Sequence, residues 1–181
     1  MRVFETGSTD TDPRGVATWG LNRPEKHNAL AALMIQEIAQ AADQLGADAA
    51  VRVVVLKAEG KSFCAGGDLG WMQDQMAADP QTRAREAKAL AMMLNALNTL
   101  PKPLIGCLEG NAFGGGVGLA SVRDVALGIE RLKMGLTDVR LGLTPATLCP
   151  PVIACMGGTT ARRADRGGGV AGGEGGGWGI D

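Results

Sequence analysis

The sequence has no tyrosine and a single histidine, His27, and these absences remove many catalytic options. Ser/His/Asp and Cys/His sites need an imidazole beside the nucleophile. His27 lies among polar and charged residues at the predicted entrance to a helix, where we expect it to be a solvated loop residue rather than a catalytic one. Catalysis by this chain would therefore use other groups.

The sequence also lacks an excess of either charge, long apolar runs and paired cysteine motifs. Its 18 basic and 19 acidic residues give a net charge of −1, which argues against nucleic acid or an anionic membrane as the main partner and favours a small molecule. The apolar runs end well short of the roughly 20 residues that a membrane span needs, and no secretory segment opens the chain. The four cysteines lack the CxxC spacing of a metal or redox site. We therefore expect a soluble, cytoplasmic protein without a metal site.

What the sequence does contain is an alternation of strand and helix patterns. Apolar residues recur at helical spacing from Ala29 to Leu45, with Asn28 as the expected helix cap, and a second long helix is predicted from Arg83 to Leu100. The predicted strands are "GVATWGLNRP", "VRVVVLKAEG", "PLIGCLEG" and residues 125–129. This order predicts an α/β fold with parallel strands joined by crossovers, and with ligands at the carboxyl ends of the strands.

Two glycine clusters, "SFCAGGDL" and "AFGGGVGLA", lie at the carboxyl ends of predicted strands. Neither is a nucleotide-binding motif: "GKS" at residues 60–62 has Val55 where a phosphate-binding loop needs glycine, and "GGGVG" does not match GxGxxG. Glycine lets a ligand approach the main chain closely, and backbone amides so exposed can stabilise a developing oxyanion. Each cluster taken alone could also be a simple turn.

Taken in order with "NRPEKHNAL", "PKPLIGCLEGNAFGGGVGLA" and "MGLTDVRLGLTPA", the "SFCAGGDL" segment resembles the crotonase family of enoyl-CoA hydratases and isomerases. The resemblance extends from Val16 to Met156 and is strongest to methylglutaconyl-CoA hydratases, through "AGGDLGWMQDQM" and "GGGVGLASV". It implies an α/β, crotonase-like ββα spiral core that lacks the family's C-terminal helical part.

The resemblance implies that two backbone amides, those of Ala65 and Gly115, hold the thioester oxygen of an acyl-CoA. The residues next to Ala65 would line the same acyl-CoA-binding loop, namely Gly66, Gly67 and Asp68. The coenzyme A moiety would cross "NRPEKHNAL", where Lys26 would contact a phosphate. Coenzyme A enters as part of the substrate, so no separate cofactor is implied.

Proton transfer at such a site needs a carboxylate. The best-known hydratases of the family carry two glutamates, whereas this chain has Gly118 at the first position and Asp138 at the second. The resemblance therefore implies that Asp138 alone activates the water. The alternative for Asp138 is a helix cap or a partner of Arg140. Trp71 is expected to line the acyl channel with Met72, or else to pack in the core.

The function implied is hydration of the α,β double bond of a branched or long-chain enoyl-CoA. An enoyl-CoA isomerase is the nearest alternative, and a catalytically inactive acyl-CoA-binding protein is another. The family also implies a trimer or hexamer, and the resemblance to its methylglutaconyl-CoA branch implies a role in fatty acid metabolism or leucine degradation.

The final residues differ in composition from the rest of the chain. Glycine supplies 11 of the 25 residues from 157 to 181, and few large apolar residues occur there. This composition predicts no packed helix. We therefore divide the chain into a crotonase-like core, residues 1–156, and an aberrant or disordered tail, residues 157–181, which has the composition of a frame change or truncation.

Overall fold

The computed structural model describes residues 1–138 and 142–166, together with the backbone of residues 170–171. Within these ranges the strands are β1 (Arg2–Val3), β2 (Gly7–Thr11), β3 (Val16–Leu21), β4 (Val53–Ala58), β5 (Ser62–Cys64), β6 (Leu104–Leu108), β7 (Asn111–Phe113), β8 (Val125–Gly128), β9 (Lys133–Gly135) and β10 (Val170–Ala171). The helices are α1 (Ala32–Ala47), α2 (Leu69–Ala77), α3 (Pro80–Asn98), α4 (Gly115–Ser121), α5 (Cys149–Met156) and α6 (Gly158–Asp165), and a 3-10 helix spans Pro24–Lys26.

The larger sheet of the described residues has the strand order β1-β2-β3-β4-β6-β8. Strands β1, β2 and β3 are antiparallel neighbours, whereas β3, β4, β6 and β8 run parallel. The β-branched strand β4 lies between β3 and β6, so both of its edges are hydrogen-bonded. Helices connect the parallel strands, and the predicted α/β class with parallel crossovers is confirmed.

A smaller sheet, with the order β10-β9-β7-β5, was not predicted. Strands β5, β7 and β9 run parallel, and β10 pairs antiparallel with β9. Its strands have two or three residues each, too few for an alternating pattern to be visible in the sequence. The pairing of β5 with β7 brings the two glycine clusters together, because each cluster follows one of these strands.

The core lies between the larger sheet and the pair of helices α1 and α3. Helix α1 buries most of the residues predicted from their helical spacing, namely Met34, Ile38, Ala41, Ala42 and Leu45, together with Ile35, whereas Leu33, which was predicted with them, is exposed. The part of the helix from Ile38 to Leu45 encloses a common apolar space with side chains of α3 and of the central strands, including Leu97, Val54, Leu56 and Leu104. Burying this apolar surface is the main favourable term in folding.

Two predicted helix starts were wrong. Ala31 precedes α1 as its N-cap, and Asn28 is a fully buried residue that caps no helix. Helix α3 begins at Pro80, earlier than predicted, because the carboxylate of Asp79 accepts hydrogen bonds from the amides of Gln81 and Thr82. The segment after β5, expected to be a loop, contains α2.

The prediction that no packed helix forms after residue 156 was wrong for α6. This helix buries only the small side chains of Ala161 and Ala164, and it packs beside α5. The rest of that prediction falls on residues 167–169 and 172–181, outside the described residues. None of the described helices combines the length and the hydropathy needed to span a bilayer.

Candidate functional site

The loops that follow β5 and β7 lie against each other at the carboxyl end of the smaller sheet. Gly66 has φ +103°, and a Cβ atom added there would lie 3.3 Å from the carbonyl oxygen of Phe113. Gly114 has φ +46°, and a Cβ atom added there would lie 3.6 Å from the Cα atom of Gly66. The positive φ favours glycine at both positions, and at Gly66 the close approach of the Phe113 carbonyl adds to this preference.

The third glycine of "GGG" serves packing rather than ligand access. A Cβ atom on Gly116 would lie 2.4 Å from the carbonyl oxygen of Cys64, on the neighbouring strand β5. The absence of a side chain lets α4 lie directly on this strand, with all its residues buried. This contact fixes the start of α4 relative to the other glycine loop.

The backbone amides of these loops differ in whether they have a hydrogen-bond partner. The amide of Ala65, predicted to hold the thioester oxygen, donates instead to the carbonyl of His27 at 3.0 Å. The amides of Gly67 and Gly115 donate to no group in the part of the chain that the structure describes. Both residues line one cavity of about 200 Å³. The amide of Gly67, rather than that of Ala65, is therefore available beside Gly115 to donate to a ligand.

Asp138 lines the same cavity. Its carboxylate approaches the glycine loop, because a Cβ atom added to Gly114 would lie 3.4 Å from Oδ2 of Asp138. This oxygen is buried and has no hydrogen-bond partner among the described residues. Burial raises the pKa of Asp138, a backbone hydrogen bond opposes the rise, and the charge of Asp165 adds to it. The predicted alternative partner, Arg140, lies outside the described residues.

Apolar side chains occupy the space around Gly118, where the best-known hydratases carry their first glutamate. A Cβ atom added there would lie 2.9 Å from Cδ2 of Leu148 and 3.5 Å from Cδ1 of Leu94. Among the described residues that line the cavity, Asp138 is the only one with an ionisable side chain. The described lining therefore combines one carboxylic side chain with two glycines whose amides lack a partner in the described part of the chain.

Asp68 belongs to the framework of the site. Its carboxylate accepts hydrogen bonds from the amides of Gly70 and Trp71 at the start of α2, and Oδ2 lies 2.9 Å from Nη2 of Arg23. Desolvation by burial acts to raise the pKa of Asp68, but the hydrogen bonds and the charge of Arg23 outweigh it, so the pKa is lowered. Asp68 is therefore an anion that holds the loop next to Gly67.

Two other polar residues of the sequence prediction lie away from the cavity lining. Lys26 is exposed on the 3-10 helix, and His27 is exposed just after it. Oγ of Ser62 lies 3.4 Å from Nδ1 of His27. The exposure of His27 agrees with the expected solvated loop residue, and that of Lys26 leaves its ammonium group accessible to an anionic ligand.

A second cavity, of about 350 Å³, adjoins the first between α2 and α3. The two cavities share five lining residues, Trp71, Met72, Leu90, Leu143 and Thr147. The sequence analysis expected Trp71 and Met72 to line a channel, but it took their segment for a loop, although Asp68 before "LGWMQDQM" is a helix N-cap signal. Together the cavities form a largely apolar space that extends away from Asp138.

Comparison with known proteins identifies one family. The enoyl-CoA hydratase/isomerase family profile matches residues 11–174. Among curated proteins, the chain is 35% identical over 144 residues to the enoyl-CoA hydratase AKT6-1 of Alternaria alternata, covering 80% of this chain and 46% of that protein. It is 30% identical over 137 residues to human mitochondrial methylglutaconyl-CoA hydratase, covering 75% of this chain and 40% of that protein.

The solved structures agree in fold. An enoyl-CoA hydratase from Shewanella pealeana superposes with a TM-score of 0.86 at 38% identity, covering 89% of this chain and 60% of that one. The expected crotonase-like core is thereby confirmed. The chain spans about half the length of the curated relatives it matches.

Proposed function

Since this chain belongs to the enoyl-CoA hydratase/isomerase family, we propose that it adds water across the α,β double bond of an enoyl-CoA thioester. The observation that carries the proposal is that three residues line one cavity: Gly67 and Gly115, whose amides have no partner among the described residues, and the carboxylic residue Asp138. A reaction that passes through an enolate needs both elements, donors for the oxygen and a group that moves protons.

The two amides stabilise the thioester oxygen as it becomes negative. An enolate oxygen accepts hydrogen bonds more strongly than a neutral thioester oxygen, so fixed donors stabilise the transition state more than the ground state. Removal of one such donor typically lowers kcat by about a hundredfold to a thousandfold. The glycines leave room for the thioester to reach the main chain.

Asp138 moves the protons. It takes a proton from water as the water oxygen bonds to the β-carbon, and the electron pair of the double bond moves to the thioester oxygen. The enolate then takes a proton at the α-carbon from the protonated Asp138, which yields a 3-hydroxyacyl-CoA by syn addition. A pKa raised by burial suits a carboxylate that both accepts and returns a proton.

The substrate proposed is an acyl-CoA with a branched or long acyl chain. The second cavity, with Trp71 and Met72 on its wall, would take the acyl tail. Coenzyme A enters with the substrate, and the exposed Lys26 would contact one of its phosphates. The trimer or hexamer implied by the family stays a prediction.

Isomerisation of the double bond is the second candidate, favoured by the finding that Asp138 is the only carboxylate among the described lining residues. One carboxylate that removes a proton at one carbon and returns it at another suffices for that reaction, with the same amides holding the enolate. The two reactions differ in their products, because an isomerase gives a shifted double bond and incorporates no water.

The test is the variant Asp138→Asn, assayed with a conjugated enoyl-CoA. We expect the wild type to consume the conjugated thioester absorbance and form the 3-hydroxy product, and the variant to lose turnover while still binding acyl-CoA. Asp43→Asn, an exposed aspartate on α1, is the matched control. Unchanged turnover in Asp138→Asn would contradict the role of Asp138, and acyl-CoA binding without turnover by the wild type would favour an inactive binding protein.

A further inference from the structure

We propose that Arg23 is a positioning residue, whose pair with Asp68 holds the Gly67 amide in place for the thioester oxygen. This inference rests on the proposed function, in which that amide is a donor. Arg23 itself does not line either cavity. It would act through the loop that carries Gly67.

The guanidinium of Arg23 connects two segments of the site. Nη2 lies 2.9 Å from Oδ2 of Asp68, and Nη1 donates a hydrogen bond to the carbonyl of Ala29 at 3.1 Å. The side chains of Arg23 and Asp68 are only 24% and 15% exposed, so solvent screens their interaction weakly. The nearest competing carboxylate, of Glu25, lies 4.0 Å from Nε and is 66% exposed.

Gly67 lies between the two hydrogen bonds that join these segments. The amide of Leu30 donates to the carbonyl of Gly66 at 2.7 Å, and the amide of Asp68 donates to the carbonyl of Leu30 at 2.8 Å. Leu30 and Gly67 thus form a parallel bridge in which the peptides on both sides of Gly67 are held. Arg23 contacts both segments just beyond the bridge, at the Ala29 carbonyl and the Asp68 carboxylate.

Asn28 fixes the backbone that carries Arg23. Its Oδ1 accepts a hydrogen bond from the Arg23 amide at 2.8 Å, and its Nδ2 donates to the carbonyls of Glu59 and Ser62 at 2.8 and 2.9 Å. Asn28 is fully buried and has φ +52°. Through Asn28 the backbone of Arg23 is therefore connected to the end of β4 and the start of β5.

The Asp68 carboxylate has two functions that a substitution can separate. One oxygen, Oδ1, caps α2, and the other, Oδ2, pairs with Arg23. Asp68→Asn keeps an oxygen that can cap the helix and removes the charge. A glycine loop that loses this tether can shift, and a displacement of about 1 Å in a catalytic group can lower the rate about a hundredfold.

The kinetic experiment compares Arg23→Gln, Asp68→Asn and the double variant with the wild type. We expect each single variant to lower kcat about tenfold to a hundredfold with KM changed less than about twofold, and the double variant to be no worse than the worse single one. Arg23→Lys keeps the positive charge, but its single ammonium group cannot bind the Asp68 carboxylate and the Ala29 carbonyl in the way that the two guanidinium nitrogens do. Its kcat should therefore lie between those of wild type and Arg23→Gln.

The matched control is Arg14→Gln. Arg14 also pairs with an aspartate, Asp12, at 2.6 Å, but in an exposed turn between β2 and β3. We expect its kcat to equal that of wild type. Either of two results would overturn the proposal: a folded Arg23→Gln variant with wild-type kcat, or one with raised KM and unchanged kcat, which would make Arg23 a substrate contact.

A second measurement is independent of turnover. Hydrogen–deuterium exchange of a peptide spanning residues 64–72 should be at least about tenfold faster in Arg23→Gln and Asp68→Asn than in wild type, while peptides of α1 are unchanged. Arg14→Gln should leave residues 64–72 unaffected. Unchanged exchange there would overturn the proposed tether, whereas a wild type without activity on enoyl-CoA would instead count against the proposed function.

Discussion

Asp138 is a carboxylate in an apolar cavity, and its ionisation sets the acid side of the expected activity profile. As a general base it must be ionised, so activity should fall as the pH falls through its raised pKa. Besides burial, the group that raises this pKa is Asp165, at the end of α6. Cys149 lies near both aspartates, and its thiol pKa is raised by burial and then by their charges, which keeps the thiol neutral.

The variant Asp165→Asn tests this electrostatic coupling. Removing a nearby negative charge makes the Asp138 anion easier to form, so the pKa of Asp138 should fall. The acid limb of the pH profile of kcat/KM should therefore move to lower pH, with the plateau retained. Asp43→Asn should leave the profile unchanged. An unmoved acid limb, or one moved upward, would contradict the coupling.

At the scale of elements, the sequence predicted the strands and helices whose positions are determined by large buried apolar side chains. The β-branched run of β4 and the helical spacing of α1 were visible because each buries large residues at a fixed period. Helix α6 was missed because it buries only alanines, and the three-residue strands of the smaller sheet are too short to show a pattern.

The sequence predicted those site residues that belong to short, continuous motifs. Gly115 and Asp138 were proposed from motifs, and the structure brings both to one cavity. The engagement of the Ala65 amide by the His27 carbonyl could not be predicted, because it depends on how two loops distant in sequence pack. The pairing of Arg23 with Asp68 was not predicted for the same reason, because it also joins two loops that are distant in sequence.

The wall formed by α2 and α3 should determine which acyl chains the protein accepts. Ala87 on α3 lines the second cavity, so Ala87→Phe should partly fill it. We expect kcat/KM for a long-chain enoyl-CoA to fall at least about tenfold, with that for crotonyl-CoA changed less than about twofold, because one blocked apolar subsite affects only tails that reach it. Both values come from initial rates measured with each substrate.

Ala91→Phe is the control for this variant. Ala91 lies one turn further along α3 and lines a different cavity, shared with Pro150 and Pro151 of α5. Its substrate preference should match that of wild type. Equal losses for short and long substrates in Ala87→Phe would instead indicate a general disturbance of the site and would contradict the placement of the acyl tail.

At the scale of the whole molecule, the features that favour the proposed chemistry act against the stability of the fold. The carboxylate of Asp138, whose buried Oδ2 has no hydrogen-bond partner among the described residues, is unfavourable in its charged form. The two loops also contain glycines at positive φ, at Gly66 and Gly114, where the unfolded chain is most flexible. The larger sheet with α1 and α3 offsets these losses by burying apolar surface.

The variant Asp138→Asn should therefore be more stable than the wild type near neutral pH. The pKa of Asp138 is raised above the usual 3.8 in the folded state. Between the unfolded-state and folded-state pKa values, the folded chain therefore binds more protons than the unfolded chain. The free energy of unfolding consequently falls as the pH rises through that window. Above this window the wild type carries the full cost of burying the charged Asp138, and below it the Asp138 carboxyl is neutral in both the folded and the unfolded state. Thermal unfolding of variant and wild type should thus differ most at about pH 7 and converge as the pH is lowered toward about 4, with Asp43→Asn following the wild type throughout. A variant less stable than wild type at neutral pH would show that the charged form of Asp138 makes favourable contacts in the fold, and so would contradict its assignment as a desolvated base.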